Sequence, residues 1–216
     1  MGIKVEKEAD SVKGAIRTEN ERLILSAAEQ VFAEMGFKGA TTAEIARRAK
    51  VPKANLHYYF STKEDLYRIL MERLIAIWMN AASTLDETDD PVAALSGYIG
   101  AKMDLARQYP YGSKIFASEI MRGAPLIQGY IENTMIPWLD HHSVVIRGWI
   151  AEGKLRPIEP KYLFFMIWAA TQHYADFSVQ IELLNDGRAL SDKQFAMAKA
   201  QVITTIMNGV LPDGKA

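Results

Sequence analysis

The sequence carries its most chemically suggestive group of residues between Lys38 and Lys63. This stretch holds six lysine or arginine residues but a single acid, Glu44. Clustered positive charge attracts the phosphates of nucleic acids whatever their base sequence and supplies most of the sequence-independent affinity. The stretch therefore points to DNA binding, although a solvated helical hairpin in an all-α protein would accommodate the same charges.

Helix signals within this stretch predict two short helices joined by a tight turn. Thr41 can accept the backbone N–H of Glu44, whose side chain can reach back, so the two form a capping box. The turn Ala-Lys-Val follows, and Pro52 opens the second helix at its first position, where a missing N–H costs nothing. A second capping box, Ser61-x-x-Glu64, starts a third helix at once.

The second short helix has an apolar side and a polar side. Leu56 and Tyr59 lie on its inner side at i, i+3, which leaves the other side chains outside. A helix of this size, held by a short turn against a neighbour, fits the major groove of DNA. The coincidence of caps, turn length and polar face favours a helix-turn-helix over the solvated hairpin.

The segment GFKGATTAEIARRAKVPKANLHYYFSTKEDLY resembles the N-terminal domain of the TetR family of transcriptional regulators. Two positions depart from the usual pattern of that family: Lys50 replaces the Gly of the turn, and Pro52 replaces a Ser or Thr cap. A left-handed Lys50 costs on the order of 1 kcal/mol. Pro52 works in the opposite direction, because it fixes its own φ and biases Val51 to extended geometry. We expect the turn to survive.

The start of the second helix is the end that commonly meets base edges, and basic side chains around it are expected to meet phosphates. An amide at Asn55 could instead brace the turn. For Lys63, in the first turn after this helix, the resemblance implies a phosphate contact. The candidate DNA-binding residues are Thr42, Arg47, Lys53, Ala54, Asn55, His57, Tyr58 and Lys63.

Two downstream segments carry a more specific resemblance. YPYGSKIFASEIMRGAP, residues 109–125, and GWIAEGKLRPIEPKYLFFMIWAATQHYADF, residues 148–177, are similar to the TetR-family subgroup that contains the regulator of pyrimidine utilisation. The resemblance implies a small-molecule effector related to uracil or thymine. The default in the TetR family is a repressor that binds a palindromic operator as a dimer and is released by the effector, but an activator is the alternative, and the sequence does not distinguish the two.

The residues of the second segment suit such a ligand. On a helix, Phe164, Phe165, Trp168, Gln172 and Asp176 fall within one broad face. A glutamine offers two donors and a carbonyl acceptor, which match the imide edge of a pyrimidine. Tryptophans offer flat surfaces to a planar ring. Core packing with a satisfied buried amide is the alternative. The candidate ligand-binding residues are Trp78, Trp168 and Gln172.

The remaining pattern predicts an all-α protein of about nine helices, because no stretch alternates with period two. We expect a flexible arm over residues 1–17, a three-helix DNA-binding domain over 18–65, and a helical ligand-binding and dimerisation domain over 66–216. The first helix of the chain is predicted to run from about Glu19 to Met35, where Gly36 stops it and Phe37 covers its end as in a Schellman motif. The helix that starts at Lys63 is predicted to run to Leu85, and Pro91 is predicted to open the next helix. A kink is expected at Pro137 in a helix over residues 126–151.

The last two predicted helices, over residues 161–184 and 192–209, have apolar faces and resemble the dimerisation pair of the family. A homodimer would present two recognition helices about 34–36 Å apart to a palindrome. Packing within one chain is the alternative for these faces.

Several classes of site are disfavoured by the sequence. Without cysteine there is no disulfide or thiolate site. Adjacent imidazoles at His141 and His142 are expected to diverge on a helix and not to share a metal. No local motif suggests a Ser/His/Asp triad or a Gly-rich phosphate loop, so we expect no cofactor, no metal and no enzymatic activity.

The chain shows no apolar core of a signal peptide and no apolar run of ~18 residues, so we expect a cytoplasmic protein without a membrane partner. The rival to a ligand-responsive DNA-binding regulator is an all-α small-molecule carrier or enzyme that lacks DNA contacts. A gel shift with genomic fragments separates the two.

Overall fold

The computed structural model describes the backbone of residues 2–212 and the side chains of residues 17–212. All regular structure within these residues is helical, as predicted. The chain divides into two compact units, Met1–Arg73 and Leu74–Ala216. The flexible arm predicted over residues 1–17 lies almost wholly outside the described side chains and stays a prediction.

The first unit contains α1 (Gly2–Gly39), α2 (Thr42–Ala49), α3 (Lys53–Tyr59) and the beginning of α4 (Lys63–Asn80). The backbone of α1 is helical well before the predicted start at Glu19. It is interrupted where the sequence predicts its end, because Gly36 has a φ of 66°. Buried apolar side chains from all four helices form the core of this unit: Ile24, Val31, Phe32, Ile45, Leu56 and Leu66.

An aromatic cluster closes the end of α1 against α4. The rings of Phe32 and Tyr67 meet edge to face with centroids 4.9 Å apart, and Phe37 meets Tyr67 at 5.0 Å. Phe37 follows Gly36 directly, so the positive φ of the glycine turns this ring back over the helix end, as the sequence predicts.

The second unit contains the end of α4, a 3₁₀ turn and seven further helical segments with one π-helical turn. In chain order they are the 3₁₀ turn Ala81–Leu85, α5 (Pro91–Gln108), α6 (Pro110–Met121), α7 (Gln128–Tyr130), the π turn Ile131–Met135, α8 (Ile136–Ala151), α9 (Pro160–Asp176), α10 (Ser178–Leu184) and α11 (Asp192–Val210). Asp90 caps α5 by accepting the N–H groups of Val92 and Ala93, and Pro91 opens the helix as predicted.

Three predicted helices differ from the structure. The helix that begins at Lys63 is α-helical to Asn80 and tightens to 3₁₀ geometry until Leu85. The helix with the expected kink contains the π turn immediately before Pro137, because proline removes a hydrogen bond and crowds the carbonyl four residues earlier. The penultimate helix is not continuous: Phe177, with φ −111° and ψ 28°, separates α9 from α10.

The core of the second unit is built around α5 and α9. The innermost side chains are Leu95, Tyr98, Ile99, Ile146, Trp149, Leu163, Phe164 and Ile167. A run of apolar residues on α9 is thus buried among neighbours of the same unit. Across the part of the chain that the structure describes, no helix has the length and apolar character needed to cross a bilayer.

Candidate DNA-binding surface and effector cavity

The turn between α2 and α3 forms despite its unusual residues. Lys50 adopts the left-handed conformation expected of it, with φ 56° and ψ 37°. Its N–H donates to Arg47 O at 3.2 Å, and the N–H of Val51 donates to Ala46 O at 3.1 Å, which is the Schellman pattern. Pro52 is the cap of α3 rather than its first residue, and its carbonyl accepts the first intrahelical bonds.

Two of the predicted caps need correction. Thr41 Oγ1 accepts the N–H of Glu44 at 3.1 Å as predicted, but the Glu44 carboxylate binds arginines instead of reaching back. At the start of α4, Thr62 Oγ1 accepts the N–H of Asp65 at 3.0 Å, so the cap is Thr62 and not Ser61. The two hydroxyls are neighbours in sequence, and the helix begins one residue later than the Ser61 box requires.

The outer face of α3 is polar and exposed. Leu56 is fully buried, whereas Lys53, Ala54, Asn55, His57 and Tyr58 are exposed. Within the described residues, no hydrogen bond or ion pair occupies the side chains of Lys53, Asn55 and His57. The Asn55 side chain therefore does not brace the turn, which was the alternative to DNA contact. All five candidate residues of α3 lie on its solvent-facing side.

Charges on α2 are more tightly paired than the sequence suggests. Glu44 accepts bidentate hydrogen bonds from Arg47 at 2.8 and 2.7 Å and a further one from Arg48 at 2.8 Å. These hydrogen bonds lower the pKa of Glu44 to about 2. Arg48 also binds Glu34 at 2.6 Å, an acid from α1 that the count over residues 38–63 left out. Arg48 thus braces α2 on α1, while the Arg47 side chain is 71% exposed.

Lys63 and Thr42, the two remaining candidates, lie at the first positions of α4 and α2. The Lys63 ammonium donates to Phe37 O at 2.8 Å and Ala40 O at 3.1 Å, and it lies 4.5 Å from the centre of the Phe37 ring. These bonds use two of the three donors of the ammonium. Lys63 therefore holds the segment between α1 and α2 in place, and one donor is left for the predicted phosphate contact. Thr42 is half-buried at the first position of α2.

The second unit contains a cavity of about 50 Å³ in which all three predicted ligand-binding residues meet. Trp78 reaches it from α4, and Trp168 and Gln172 reach it from α9, one helical turn apart. Its complete lining is Ile75, Trp78, Met79, Tyr98, Lys102, Phe116, Met135, Trp138, Trp168 and Gln172.

Five of the ten side chains that line the cavity are aromatic. Trp168 Nε1 donates to the Tyr98 hydroxyl at 2.7 Å, which fixes the indole and leaves its ring face as a surface. Burial raises the pKa of the Tyr98 hydroxyl, so this group stays neutral. Trp138 approaches Trp168 with ring centroids 6.2 Å apart, and Phe116 meets Trp78 edge to face at 5.2 Å. A planar ligand would find flat surfaces on more than one side.

Two polar groups face this apolar space without a protein partner. The Gln172 side chain is half-buried, and no hydrogen bond within the described residues involves its amide. Lys102 is 7% exposed, and its ammonium lies 5.4 Å from the centre of the Trp78 ring, with no hydrogen bond or ion pair to any described residue. Burial lowers the pKa of Lys102 to about 8, against the opposing attraction of Asp176. Among the described residues no fully buried side-chain N or O atom lacks a partner, so both groups keep some contact with solvent and are available to a ligand.

Lys102 was missed by the sequence analysis, although a signal for it exists. On α5 it occupies the same face as Tyr98, Ile99 and Ala106, all of which are buried. A lysine at an apolar position of an otherwise amphipathic helix is such a signal. Its neighbour Asp176 accepts from Ser113 Oγ at 2.5 Å, and burial raises the pKa of that carboxyl.

The broad face predicted on α9 is only partly correct. Trp168 and Gln172 line the cavity, but Phe164 is fully buried in the core and Phe165 is 49% exposed. The five residues lie within an arc of about 120°, but they extend over about 18 Å along the helix axis, so they cannot all converge on one small volume.

The cavity is smaller than the ~300–1,000 Å³ of typical ligand pockets. Entry of a ring requires its lining to expand, and Met79 and Met135 are flexible side chains that can yield. Met135 also ends the π turn, a geometry that is common at functional sites.

A larger, more open groove of about 390 Å³ lies elsewhere in the second unit, between α5, α6 and α10. Arg107 and Lys114 line it, but Lys114 already donates to Ser178 Oγ at 3.0 Å and Arg107 binds Asp192 at 2.5 Å. Arg107 and Lys114 of the groove are thus already paired, whereas Lys102 and Gln172 of the small cavity are available to a ligand.

The expectation that His141 and His142 diverge is wrong in one respect. Both Nε2 atoms approach the same carboxylate, that of Asp86, at 3.2 and 3.3 Å. The rings stand nearly perpendicular, as neighbours on a helix do, but the loop after the 3₁₀ turn places Asp86 between them. Sequence spacing could not reveal this third residue.

Comparison with known proteins places these features in a family. Residues 24–69 match the family described as bacterial regulatory proteins, tetR family, and residues 71–213 match the YcdC-like protein, C-terminal region. The chain is 37% identical over 209 residues to the HTH-type transcriptional regulator RutR of Escherichia coli (strain K12), which covers 93% of this chain and 99% of the relative.

A more distant relative is also named as a transcriptional regulator, and its solved structure has a similar fold. The HTH-type transcriptional repressor KstR2 of Mycobacterium tuberculosis (strain ATCC 25618 / H37Rv) is 27% identical over 155 residues, 68% of this chain and 74% of the relative. The solved structure of the ketosteroid transcriptional regulator KstR2 of Mycobacterium tuberculosis superposes with a TM-score of 0.69 at 20% identity, over 89% of this chain and 95% of that one. The chain belongs to the TetR family of helix-turn-helix transcriptional regulators.

Proposed function

We propose that this regulator is a repressor that binds a palindromic operator as a homodimer and is released by a pyrimidine base such as uracil or thymine. One observation carries the proposal for the effector: the Gln172 amide and the Lys102 ammonium converge, without protein partners, on a cavity walled by aromatic rings. A ligand that pairs both groups gains about 0.5–1.5 kcal/mol from the hydrogen bond to the amide and about 1.5–3 kcal/mol from the one to the ammonium.

The chemistry of the two groups selects the ligand class. The imide edge of a pyrimidine presents an N–H between two carbonyl oxygens. Gln172 can accept from that N–H and donate to one carbonyl, and Lys102 has donors for a further carbonyl oxygen. The faces of Trp78 and Trp168 suit a planar ring. Resemblance of residues 109–125 and 148–177 to the pyrimidine-utilisation subgroup supports the same class, as does the 37% identity to RutR.

The proposed switch follows from the need for the cavity to expand. Trp78 and Met79 lie in the last turn of α4, and α4 begins directly after the recognition helix α3. A ring that pushes these residues outward favours a state in which α4 has moved, and only a difference in ligand contacts between states can shift their populations. A coupling of about 1–3 kcal/mol would change operator affinity about 5–150-fold.

On the DNA side, we propose that Lys53, Ala54, Asn55, His57 and Tyr58 form the surface that enters the major groove. Thr42, Arg47 and Lys63 would contact the flanking phosphates. Support comes from the shared exposure of the α3 residues and from the absence of side-chain partners for Lys53, Asn55 and His57 within the described residues. Direct base readout requires free donors and acceptors of this kind.

The homodimer is proposed to form through the last two predicted helices, now α9 with α10, and α11. Large apolar side chains on these segments are exposed in the single chain: Phe165, Met166, Phe177, Val179, Leu183, Leu184 and Met197. So many large apolar side chains exposed on neighbouring segments of the chain favour an interaction surface there. We place the protein in the cytoplasm, where the operator lies, and assign it no catalytic role, since its named relatives are transcriptional regulators.

A gel shift tests the proposal. Purified protein is mixed with genomic fragments from its own organism, and the retained fragment is titrated with uracil and thymine. The imide edge is then probed with two matched ligands: 3-methyluracil, which lacks the N3–H that Gln172 would accept, and 1-methyluracil, which keeps it. We expect release by uracil or thymine and no release by 3-methyluracil. Equal release by the two methyl derivatives would contradict the pairing with Gln172, and failure to retain any fragment would contradict the regulator itself.

A further inference from the structure

Asp86, His141 and His142 bring together three side chains that bind metals in proteins. Asp86 follows the 3₁₀ turn, and the histidines are adjacent on α8. His141 Nε2 lies 3.2 Å from one carboxylate oxygen and His142 Nε2 lies 3.3 Å from the other. One ligand atom from each of the three residues fits within 4.8 Å of the other two. Neither the proposed DNA contacts nor the effector cavity uses this cluster.

The hydrogen bonds of His142 restrict what lies between it and Asp86. This ring is 3% exposed, and its Nδ1 is 2.9 Å from Trp138 O. A carbonyl oxygen can only accept, so Nδ1 carries the hydrogen. A neutral ring then directs the lone pair of Nε2 at a carboxylate oxygen, which is repulsive. A proton or a cation between the two atoms removes the repulsion.

The geometry points to a site for a divalent transition-metal ion of the Zn²⁺ class, and we propose that this cluster binds one. Two imidazoles and a carboxylate, with a fourth position open to water, are a common ligand set for Zn²⁺. Tetrahedral bonds of about 2.0–2.2 Å place neighbouring ligand atoms about 3.3–3.6 Å apart. The nitrogen–oxygen distances of 3.2 and 3.3 Å are near this range but end on different carboxylate oxygens, so binding through a single oxygen requires the Asp86 side chain to turn toward the ion.

The surroundings of the cluster fit this role. Nδ1–H of His142 donates to a backbone carbonyl, which is the outer-shell bond that orients most metal-binding histidines. The His141 side chain is 64% exposed and that of Asp86 is 52% exposed, so both can adjust toward an ion and leave one side open to water.

Trp138 provides a built-in reporter. Its indole packs against the His142 ring with centroids 4.3 Å apart. An ion on Nε2 places positive charge beside this indole, so binding is expected to change tryptophan fluorescence. Trp138 also lines the effector cavity, so an ion would stiffen one of its walls.

The test uses full-length, tag-free protein freed of metal with a chelator and titrated with Zn²⁺ by calorimetry and tryptophan fluorescence. His141→Gln and Asp86→Asn alter exposed residues and should leave the fold intact. His173→Gln, which removes an exposed histidine on α9, is the matched control. We expect one saturable ion per chain in the wild type and in the control, and at least about tenfold weaker binding in the other two variants.

Three results would overturn the proposal: no saturable binding in the wild type, unchanged affinity in both cluster variants, or an equal loss in the His173→Gln control. The first would identify the cluster as a hydrogen-bonded contact between the histidines and Asp86 that binds no metal. The last would identify adsorption to surface histidines.

Discussion

On α3 of the first unit, Lys53, Asn55 and His57 are exposed around a fully buried Leu56, whereas in the second unit Lys102 and Gln172 line a small cavity. Both sets lack protein partners within the described residues, but their costs differ. Water satisfies the exposed groups of α3, so that surface is stable without DNA. The cavity groups keep only limited contact with water, and burial disfavours the charge on Lys102, so we expect their desolvation to lower stability unless a ligand pairs them. Substitutions should therefore act on function alone in the first case, and on function and stability together in the second.

Lys102→Met should produce the largest effect and separates the two regions most clearly. Methionine keeps the apolar stem and removes the buried charge, so we expect stability to rise by about 1–3 kcal/mol. The same change should weaken effector binding by a similar amount while operator affinity stays within about twofold. Thermal unfolding and ligand titration measure both. Lys199→Met, which removes a surface ion pair with Asp104, is the control. A destabilised Lys102→Met protein with normal ligand affinity would show that the lysine is structural.

Lys53→Ala tests the exposed surface of α3 by its effects on stability and on operator binding. Stability should not change measurably, because the side chain has no partner within the described residues. If Lys53 contacts a base edge, sequence preference at one operator position should relax by about 1–3 kcal/mol. Binding to a set of single-base operator variants measures this. A uniform loss across the set would make Lys53 a phosphate contact instead.

The pH dependence of effector binding should follow Lys102. Burial lowers the pKa of Lys102 to about 8 in the folded protein, below the value in the unfolded chain. Between these two values the unfolded chain binds more protons, so stability rises with pH through that window. A ligand that accepts from the ammonium needs the proton, so its affinity should fall above pH 8, approaching about tenfold per pH unit. Titrations from neutral pH to about 9 would show this slope in the wild type and not in Lys102→Met. The same slope in both proteins would assign it to the ligand.

Lys63→Ala should have the smallest effect and sharpens the boundary of the DNA surface. Loss of the bonds to Phe37 O and Ala40 O should lower stability by about 1 kcal/mol. If the remaining donor binds a phosphate, the salt dependence of operator binding should also decrease by about 1 in slope. Operator affinity measured over a range of salt concentrations shows whether Lys63 contacts a phosphate. Lower stability with an unchanged slope would restrict Lys63 to holding the loop between α1 and α2.

Local signals in the sequence predicted the DNA-binding unit well. Thr41, Lys50 and Gly36 adopt the conformations expected of them, because caps and left-handed turns depend on few neighbouring residues. The errors there are small shifts, such as the cap at Thr62 instead of Ser61, where two adjacent hydroxyls compete for the same role.

The cavity was predictable only in part. Helical spacing predicts that Trp168 and Gln172 lie close together, and Trp78 was predicted from a distant helix. The positions of Tyr98, Lys102 and Trp138 in the cavity depend on how α5 and α8 pack against α9, which the sequence does not show. The break at Phe177 and the contact of Asp86 with His142 likewise depend on how separate segments meet. Contacts across long sequence distances leave no periodic trace, so a single sequence does not reveal them.

The central claim is that an effector with a polar edge bound at Gln172 releases the operator, and the Gln172→Leu variant tests it most directly. Leucine is tolerated in a helical core, but it leaves the ligand edge unpaired at a cost of about 1–3 kcal/mol. Operator affinity is measured with and without uracil and thymine for the wild type, for Gln172→Leu and for Gln108→Leu, an exposed glutamine at the end of α5. We predict that the wild type and Gln108→Leu are released, while Gln172→Leu binds the operator normally and stays bound. Release of Gln172→Leu at the wild-type ligand concentration would contradict the account.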